Sequence, residues 1–293
     1  MNDAPSDNAR RICWLASYPK SGNTWTRVLL GNLLREDRED ERLIPLNGTI
    51  SSNRTMFDNL AGLPSADLTD DEIDLLRPEG YRMLAAGSAQ RLFIKVHDAY
   101  HVNGSGEPLF PADVSVGAIY LVRNPMDVAI SYAYHQGHEN FERVIEQMAD
   151  HGHVMAGGKG AQLRQKTFGW SGHYREWHSQ SAIPVLTVRY EDMIANTARE
   201  LARMAAFLGV PASAEALAAA VDSSRFERLR DTEQRDGFRE RPAKAARFFR
   251  SGRVGEGAER LDPALQQRVR DAHGDLMDAL GYGIGAGNGG QDA

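Results

Sequence analysis

The sequence predicts an α/β fold, a central and mostly parallel sheet with helices on both faces. Two observations carry that prediction. Four short runs rich in aliphatic and aromatic residues, at 12–17, 92–96, 118–122 and 184–189, read as buried strands. Three of them lead into segments of helical periodicity at 24–34, 126–136 and 197–208. Strand alternating with helix builds a parallel sheet, and such sheets bind ligands at the carboxyl ends of their strands.

In chain order, residues 1–10 are polar and read as a loose tail. The first helix places Trp25, Val28, Leu29 and Leu33 on one face. Residues 36–90 carry many acidic side chains and turn formers, with a helix expected over 69–76, where Thr69 caps and Glu72 completes a capping box. Residues 137–169 are rich in glycine and histidine. Both stretches read as insertions over the sheet, a usual place for lids and acceptor walls. Residues 281–293 form a glycine-rich tail with too little apolar surface to order itself. That leaves 11–280 as a single domain between flexible tails, an ordinary size for one α/β unit.

With 42% hydrophobic and 25% charged residues the chain has the composition of a soluble globular protein. Its net charge of -6 excludes a general nucleic-acid binder, which needs a basic surplus against phosphates, so any anion site has to be local. Cys13 is the only cysteine and sits in an apolar run, where it reads as a buried small hydrophobe. The polar N-terminus lacks a signal-peptide core, and no run approaches the ~20 apolar residues of a membrane span. A cytoplasmic location without a membrane partner is expected.

The segment from Trp14 to Trp25 runs from strand through loop to helix. Gly22 lets the backbone approach an anion, and the helix start offers unpaired N–H groups at the positive end of its dipole. Lys20 adds a mobile cation, and Ser21, Asn23 and Thr24 add hydroxyl or amide donors. The Walker A spacing is missing, because the lysine precedes the glycine.

A second strand–turn–helix follows at 118–131. Asn124 suits an N-cap, Pro125 the first helical position and Asp127 the third, as in a capping box with a shorter acid. Arg123 is thereby held at a strand's carboxyl end. Ser131, one turn beyond Asp127, lies where it and the guanidinium can grip one phosphate from two sides. Two anion loops on one sheet imply a ligand with two separated phosphates.

Together the motifs resemble the 5′-phosphosulfate loop and the 3′-phosphate motif of sulfotransferases that use 3′-phosphoadenosine 5′-phosphosulfate (PAPS). The loop Tyr18 to Trp25 departs from the family pattern at Asn23, where threonine is usual, while Arg123, Asn124, Pro125, Asp127 and Ser131 match closely. The loop wording is closer to bacterial small-molecule and natural-product enzymes than to membrane-anchored carbohydrate ones. The resemblance implies a P-loop-like three-layer fold and a cofactor site made of Lys20, Ser21, Gly22, Asn23, Thr24, Trp25, Arg123 and Ser131. It adds Tyr190 beside the adenine, and Ser224 and Phe226 on the adenosine. Arg250, Ser251 and Gly252 complete it on a C-terminal glycine-rich loop, where Ser251 and Gly257 replace the usual lysine and tryptophan. Gly169, Trp170, Ser171, His173 and Trp177 match a helix whose aromatic residues mostly pack.

His97 ends the run Phe93 to Asp98 and matches the family's catalytic histidine, with valine in place of the usual threonine or serine before it. A histidine near its reference pKa of about 6.5 can take a proton from an acceptor hydroxyl. Lys20 would stabilise charge on the bridging oxygen, with Lys95 as a second cation on the side His97 shares. His135 with His138, and His151 with His153, lack thiolate and acidic partners, so no metal is expected. The basic run Arg239, Arg241, Lys244, Arg247 and Arg250 is either a solvated face or a guide for the anionic cofactor. The expected reaction is sulfuryl transfer from PAPS to a hydroxyl or amine of a small-molecule acceptor, releasing adenosine 3′,5′-bisphosphate, with a homodimer as an open assembly. A nucleotide-dependent kinase and a non-catalytic PAPS- or nucleotide-binding protein stand as alternatives.

Overall fold

The computed structural model describes residues 10–35, 49–238, 240–241 and 247–283. Its first strand, β1 (Ile12–Ser17), leads to helix α1 (Asn23–Leu34); α2 (Arg54–Ala61) and α3 (Asp70–Ala86) precede β2 (Leu92–Val96). Next come β3 (Ser115–Val122), α4 (Pro125–His135) and α5 (Phe141–Ala149), an antiparallel pair of two-residue strands, β4 (Val154–Met155) and β5 (Gln165–Lys166), and α6 (Gly169–Ser179). The chain continues through β6 (Val185–Arg189), α7 (Tyr190–Ala195), α8 (Thr197–Phe207), α9 (Ala214–Ser223), α10 (Phe226–Asp236), α11 (Glu256–Arg260) and α12 (Pro263–Ala279).

The main sheet has four parallel strands in the order β2-β1-β3-β6. Alternation along the strands separates two cores. Ile12, Trp14, Ile94, Val96, Ala118 and Tyr120 face α3, α4, α5, α6 and α12, whereas Cys13, Leu15, Phe93, Ile119 and Leu121 face α1, α8 and α9. Cys13 is fully buried, and burial pushes its thiol up to about 12, so it packs as a small hydrophobe. Because β1 has β2 on one side and β3 on the other, the chain reverses direction across the sheet at β1. A crevice opens there at the strands' carboxyl ends.

Two sequence expectations are corrected. The helix expected over 69–76 keeps its Thr69–Glu72 capping box but runs on to Ala86 through Pro78. Proline removes an N–H, and the carbonyl of Asp74 that would have received it accepts instead from the Asn103 amide at 3.3 Å. Residues 281–283, expected to open a tail, pack instead: Tyr282 is buried, and its hydroxyl donates to Glu191 at 2.7 Å. Residues 1–9 and 284–293, part of the acidic insertion (36–48), and Arg239 and Lys244 of the basic run lie outside the described residues.

Candidate active site

A cavity of about 1020 Å³ lies over the carboxyl ends of β1, β2 and β3. The loop after β1 is bent by two left-handed residues, Lys20 (φ 69°) and Gly22 (φ 102°). A side chain at Gly22 would put its Cβ 2.8 Å from the Tyr190 ring, so glycine is required there. Asn23, unlike a threonine, is long enough to turn back under the loop. Its amide donates to Leu15 O at 2.7 Å and to the Ser17 hydroxyl at 3.2 Å, so it shapes the loop rather than offering a ligand donor. Lys20 reaches into the cavity, 3.5 Å from His135 Nδ1 and 4.6 Å from the centre of the Phe248 ring.

Asn124 caps α4 as its sequence predicts, accepting from Met126 N at 3.0 Å. Asp127, expected to close a capping box, does something else. The aspartate side chain is one methylene shorter than the glutamate such a box uses, and the Asn124 N–H donates instead to Glu191 at 2.9 Å. The Asp127 carboxylate points outward and accepts from Gly255 N (2.9 Å) and Gly257 N (2.7 Å), fixing the C-terminal glycine loop to α4. The contact is so close that a Cβ on Gly257 would fall 2.3 Å from the Met126 carbonyl carbon, so no side chain fits there. Arg123 pairs with Asp127 at 3.5 Å, donates to Arg253 O at 2.8 Å, and lies 4.3 Å from the centre of the Tyr190 ring. Tyr190 thus packs between the loops, its hydroxyl donating to Gly252 O at 3.1 Å. Phe226 packs on Gly252 in the same way, 2.7 Å from where a Cβ would stand.

His97 follows β2. Its Nδ1–H donates to Ser17 O at 2.8 Å, which leaves the Nε2 lone pair as the basic position. The expectation of an ordinary histidine pKa is corrected: burial, then the charge of Lys95, holds His97 well below 6.5 and therefore neutral. Its backbone is fixed from both sides. His173 Nε2 donates to His97 O at 3.2 Å and Trp177 to Asp98 O at 3.0 Å, while the buried Asp98 carboxylate takes two bonds from Arg77 (2.8 and 3.2 Å). Trp170, His173 and Trp177 of the helix read as packing are buried, and a ring N–H of each is spent on a backbone carbonyl of the site, at Arg123, His97 and Asp98.

Lys20 is pushed down to about 7 by burial and then by the charges of Lys95 and Arg123, with Arg250 adding to them. Buried Ser21 Oγ and Arg123 Nε have no hydrogen-bond partner. Clustered cations with the orphaned Arg123 Nε among them are what a polyanionic ligand would satisfy, so Lys20, Lys95, Arg123 and Arg250 fit the separated anionic groups of PAPS.

Lys20, Gly22, Asn23, Thr24, Trp25, His97, Arg123, Ser131, Tyr190, Phe226, Arg250, Ser251 and Gly252 all line the one cavity. Two predicted residues do not. Ser21 is buried beneath the loop, and the Ser224 hydroxyl donates to Ala220 O (2.7 Å) and accepts from Asn32 (2.8 Å), leaving only its carbonyl for Trp25 Nε1 at 2.9 Å. Arg250 lines the cavity while paired to Glu256 at 2.6 Å. Sequence reasoning gave no role to Arg27 or Glu240, nor to the clamp made by Asp127. For Asp127 the signal was present, an acid in the first turn of a helix already capped by asparagine. His135, weighed as a metal ligand, stands beside Lys20 instead. Among the described residues no cluster of His, Cys, Asp and Glu could hold a metal ion.

Known proteins resemble this chain along most of its length. The family model for the sulfotransferase domain matches residues 10–281. Cytosolic sulfotransferase 14 of Arabidopsis thaliana is 26% identical over 87% of this chain and 72% of its own length. Sulfotransferase 1B1 of Canis lupus familiaris is 26% identical over 74% and 65%. Among solved structures, retinol dehydratase in complex with retinol and PAP superposes with a TM-score of 0.61 at 21% identity, covering 94% of this chain and 82% of that one. Mouse sulfotransferase SULT7A1 complexed with PAP gives 0.59 at 20% identity, covering 93% and 84%. At these identities the structures speak to the fold alone. The chain belongs to the sulfotransferase family, enzymes that take their sulfuryl group from PAPS, and its four-stranded parallel sheet between helices is that family's P-loop-like fold.

Proposed function

We propose that residues 11–280 act as one unit that transfers a sulfuryl group from PAPS to a hydroxyl or amine of a small-molecule acceptor. One observation carries this reading: two differently built anion loops and a histidine whose Nδ1 is tied to the Ser17 carbonyl open on one cavity. PAPS supplies the sulfuryl group. Arg123, Ser131 and the amides of Ser251 and Gly252 hold the 3′-phosphate, while Gly22, Thr24 and the start of α1 hold the 5′ end. Tyr190, Trp25 and Phe226 supply ring surface for the adenosine. The acceptor proton goes to His97 Nε2, and Lys20, charged once an anion lies beside it, balances the charge left on the bridging oxygen. Transfer of this kind needs in-line positioning more than covalent chemistry by the protein. The same reading makes this a cytoplasmic enzyme of the bacterial small-molecule type that needs no metal, nucleic acid or membrane, with a homodimer as the assembly to test for. Among the described residues no helix is long and apolar enough to cross a membrane.

The test is incubation with sulfur-labelled PAPS and a mixed panel of phenols, alcohols and amines. Label should appear on an acceptor as adenosine 3′,5′-bisphosphate is released. Failure to bind PAPS would sink the reading, and binding without transfer would favour a non-catalytic binding protein.

A further inference from the structure

Glu240 reaches the cavity from the stretch that follows α10, and its carboxylate meets three donors carried by two separate elements. Thr24 donates to it at 3.4 Å, Lys95 at 3.1 Å, and Arg27 forms an ion pair with it. Thr24 and Arg27 are three residues apart on α1 and so share a helix face, with Thr24 in the first turn, where the helix dipole favours negative charge. Lys95 stands two residues before His97 and therefore on the same side of β2. A hydroxyl, a guanidinium and an ammonium around two oxygens beside the base form a built oxyanion site. Neither Arg123 nor Ser131 contributes to these contacts, so the site is separate from the 3′-phosphate anchor.

The geometry points to an anion subsite on Thr24, Arg27 and Lys95 that the chain fills with its own Glu240 carboxylate and that a sulfonate-type oxyanion takes over by displacing it. The inference rests on the PAPS reading for the identity of that oxyanion, which would be the group being transferred. Two anions cannot share these three donors, because like charges at such distances repel. Although burial opposes its charge, Lys95 and Arg27 hold Glu240 down to about 2, so the carboxylate competes at every pH near neutral and does not act as a pH switch. Arg27, which the cofactor motifs do not include, becomes a ligand of the transferred group, and Glu240 sets how strongly the site prefers PAPS to its product.

The experiment compares PAPS with adenosine 3′,5′-bisphosphate, which lacks that group. Calorimetric titrations are made on the parent, Glu240→Gln, Glu240→Ser, Glu240→Gln combined with Arg27→Met, and Asp236→Asn as a charge control at the rim of the cavity. Removing the internal competitor should tighten PAPS about tenfold in both Glu240 variants and the bisphosphate less than about threefold. The added Arg27→Met should abolish the gain, and Asp236→Asn should leave the ratio of the two affinities unchanged. If the Glu240 variants tighten both ligands equally, or weaken PAPS, the subsite is overturned. If the parent binds neither nucleotide, the PAPS reading fails by itself, and titration with inorganic sulfate decides the subsite. Tighter sulfate binding by Glu240→Gln than by the parent or the double variant supports it, and equal binding by all three contradicts it.

Discussion

The two anion loops of this protein are finished in different ways. The loop after β3 is braced by the protein itself. Asp127 holds the C-terminal glycine loop through two amides, Glu191 holds Asn124, and Tyr190 lies against Arg123 and Gly22. The loop after β1 is electrostatically incomplete, with Lys20 driven down to about 7 and the neighbouring cations Arg27 and Lys95 answered by one carboxylate from a distant stretch. A pre-organised region binds without reorganising, whereas a charge-deficient one gains most when the ligand's charge arrives. The first suits an anchor, the second a place where charge moves.

Substitutions can break that contrast. Among substitutions in the two loops the largest effect belongs to Lys20→Met, which should lower kcat by about 10²–10³ because it removes a cation beside the developing charge. The same lysine predicts a pH dependence. It titrates near 7 where it stands, and an anion beside it raises it back toward the ordinary 10.5. Binding adenosine 3′,5′-bisphosphate should therefore take up a proton above pH 7, and affinity should fall as pH rises from about 7 toward the raised value. Calorimetry in buffers of different ionisation enthalpy measures that uptake, and Lys20→Met should abolish it.

Asp127→Asn should act on the braced side. With one oxygen left to serve two amides, it should raise KM for PAPS about tenfold with kcat little changed, a loss in the range of one or two charge-assisted hydrogen bonds. A fall in kcat alone would mean that the clamp has been assigned to the wrong step. Smallest is Ser224→Ala. It should leave PAPS binding unaltered and cost about 1–2 kcal/mol of stability, read from denaturant unfolding, because Asn32 loses its partner.

The strands were legible in the sequence because buried parallel strands are continuous apolar runs, and the loops because glycine, lysine and capping residues mark them locally. Pro78 hid the second half of α3, since its compensation by Asn103 comes from a residue distant in sequence. Asn23 reads as a ligand donor from its residue type, and Ser224 from the family resemblance. Their side chains are spent on Leu15, Ala220 and Asn32, which only the folded chain brings together. Glu240 lies 213 positions from Arg27 and 145 from Lys95 and belongs to no motif, so nothing local announces it.

The most direct measurement sets Arg123→Ala beside His97→Ala, with affinity for adenosine 3′,5′-bisphosphate and the single-turnover rate at saturating PAPS recorded for both. Arg123→Ala should lose about tenfold or more in affinity while the rate at saturation stays within about threefold. His97→Ala should keep the affinity and lose about 10²–10⁴ in rate. If both substitutions move the same quantity, or the parent protein binds no bisphosphate, the division between an anchoring loop and a reacting one is contradicted.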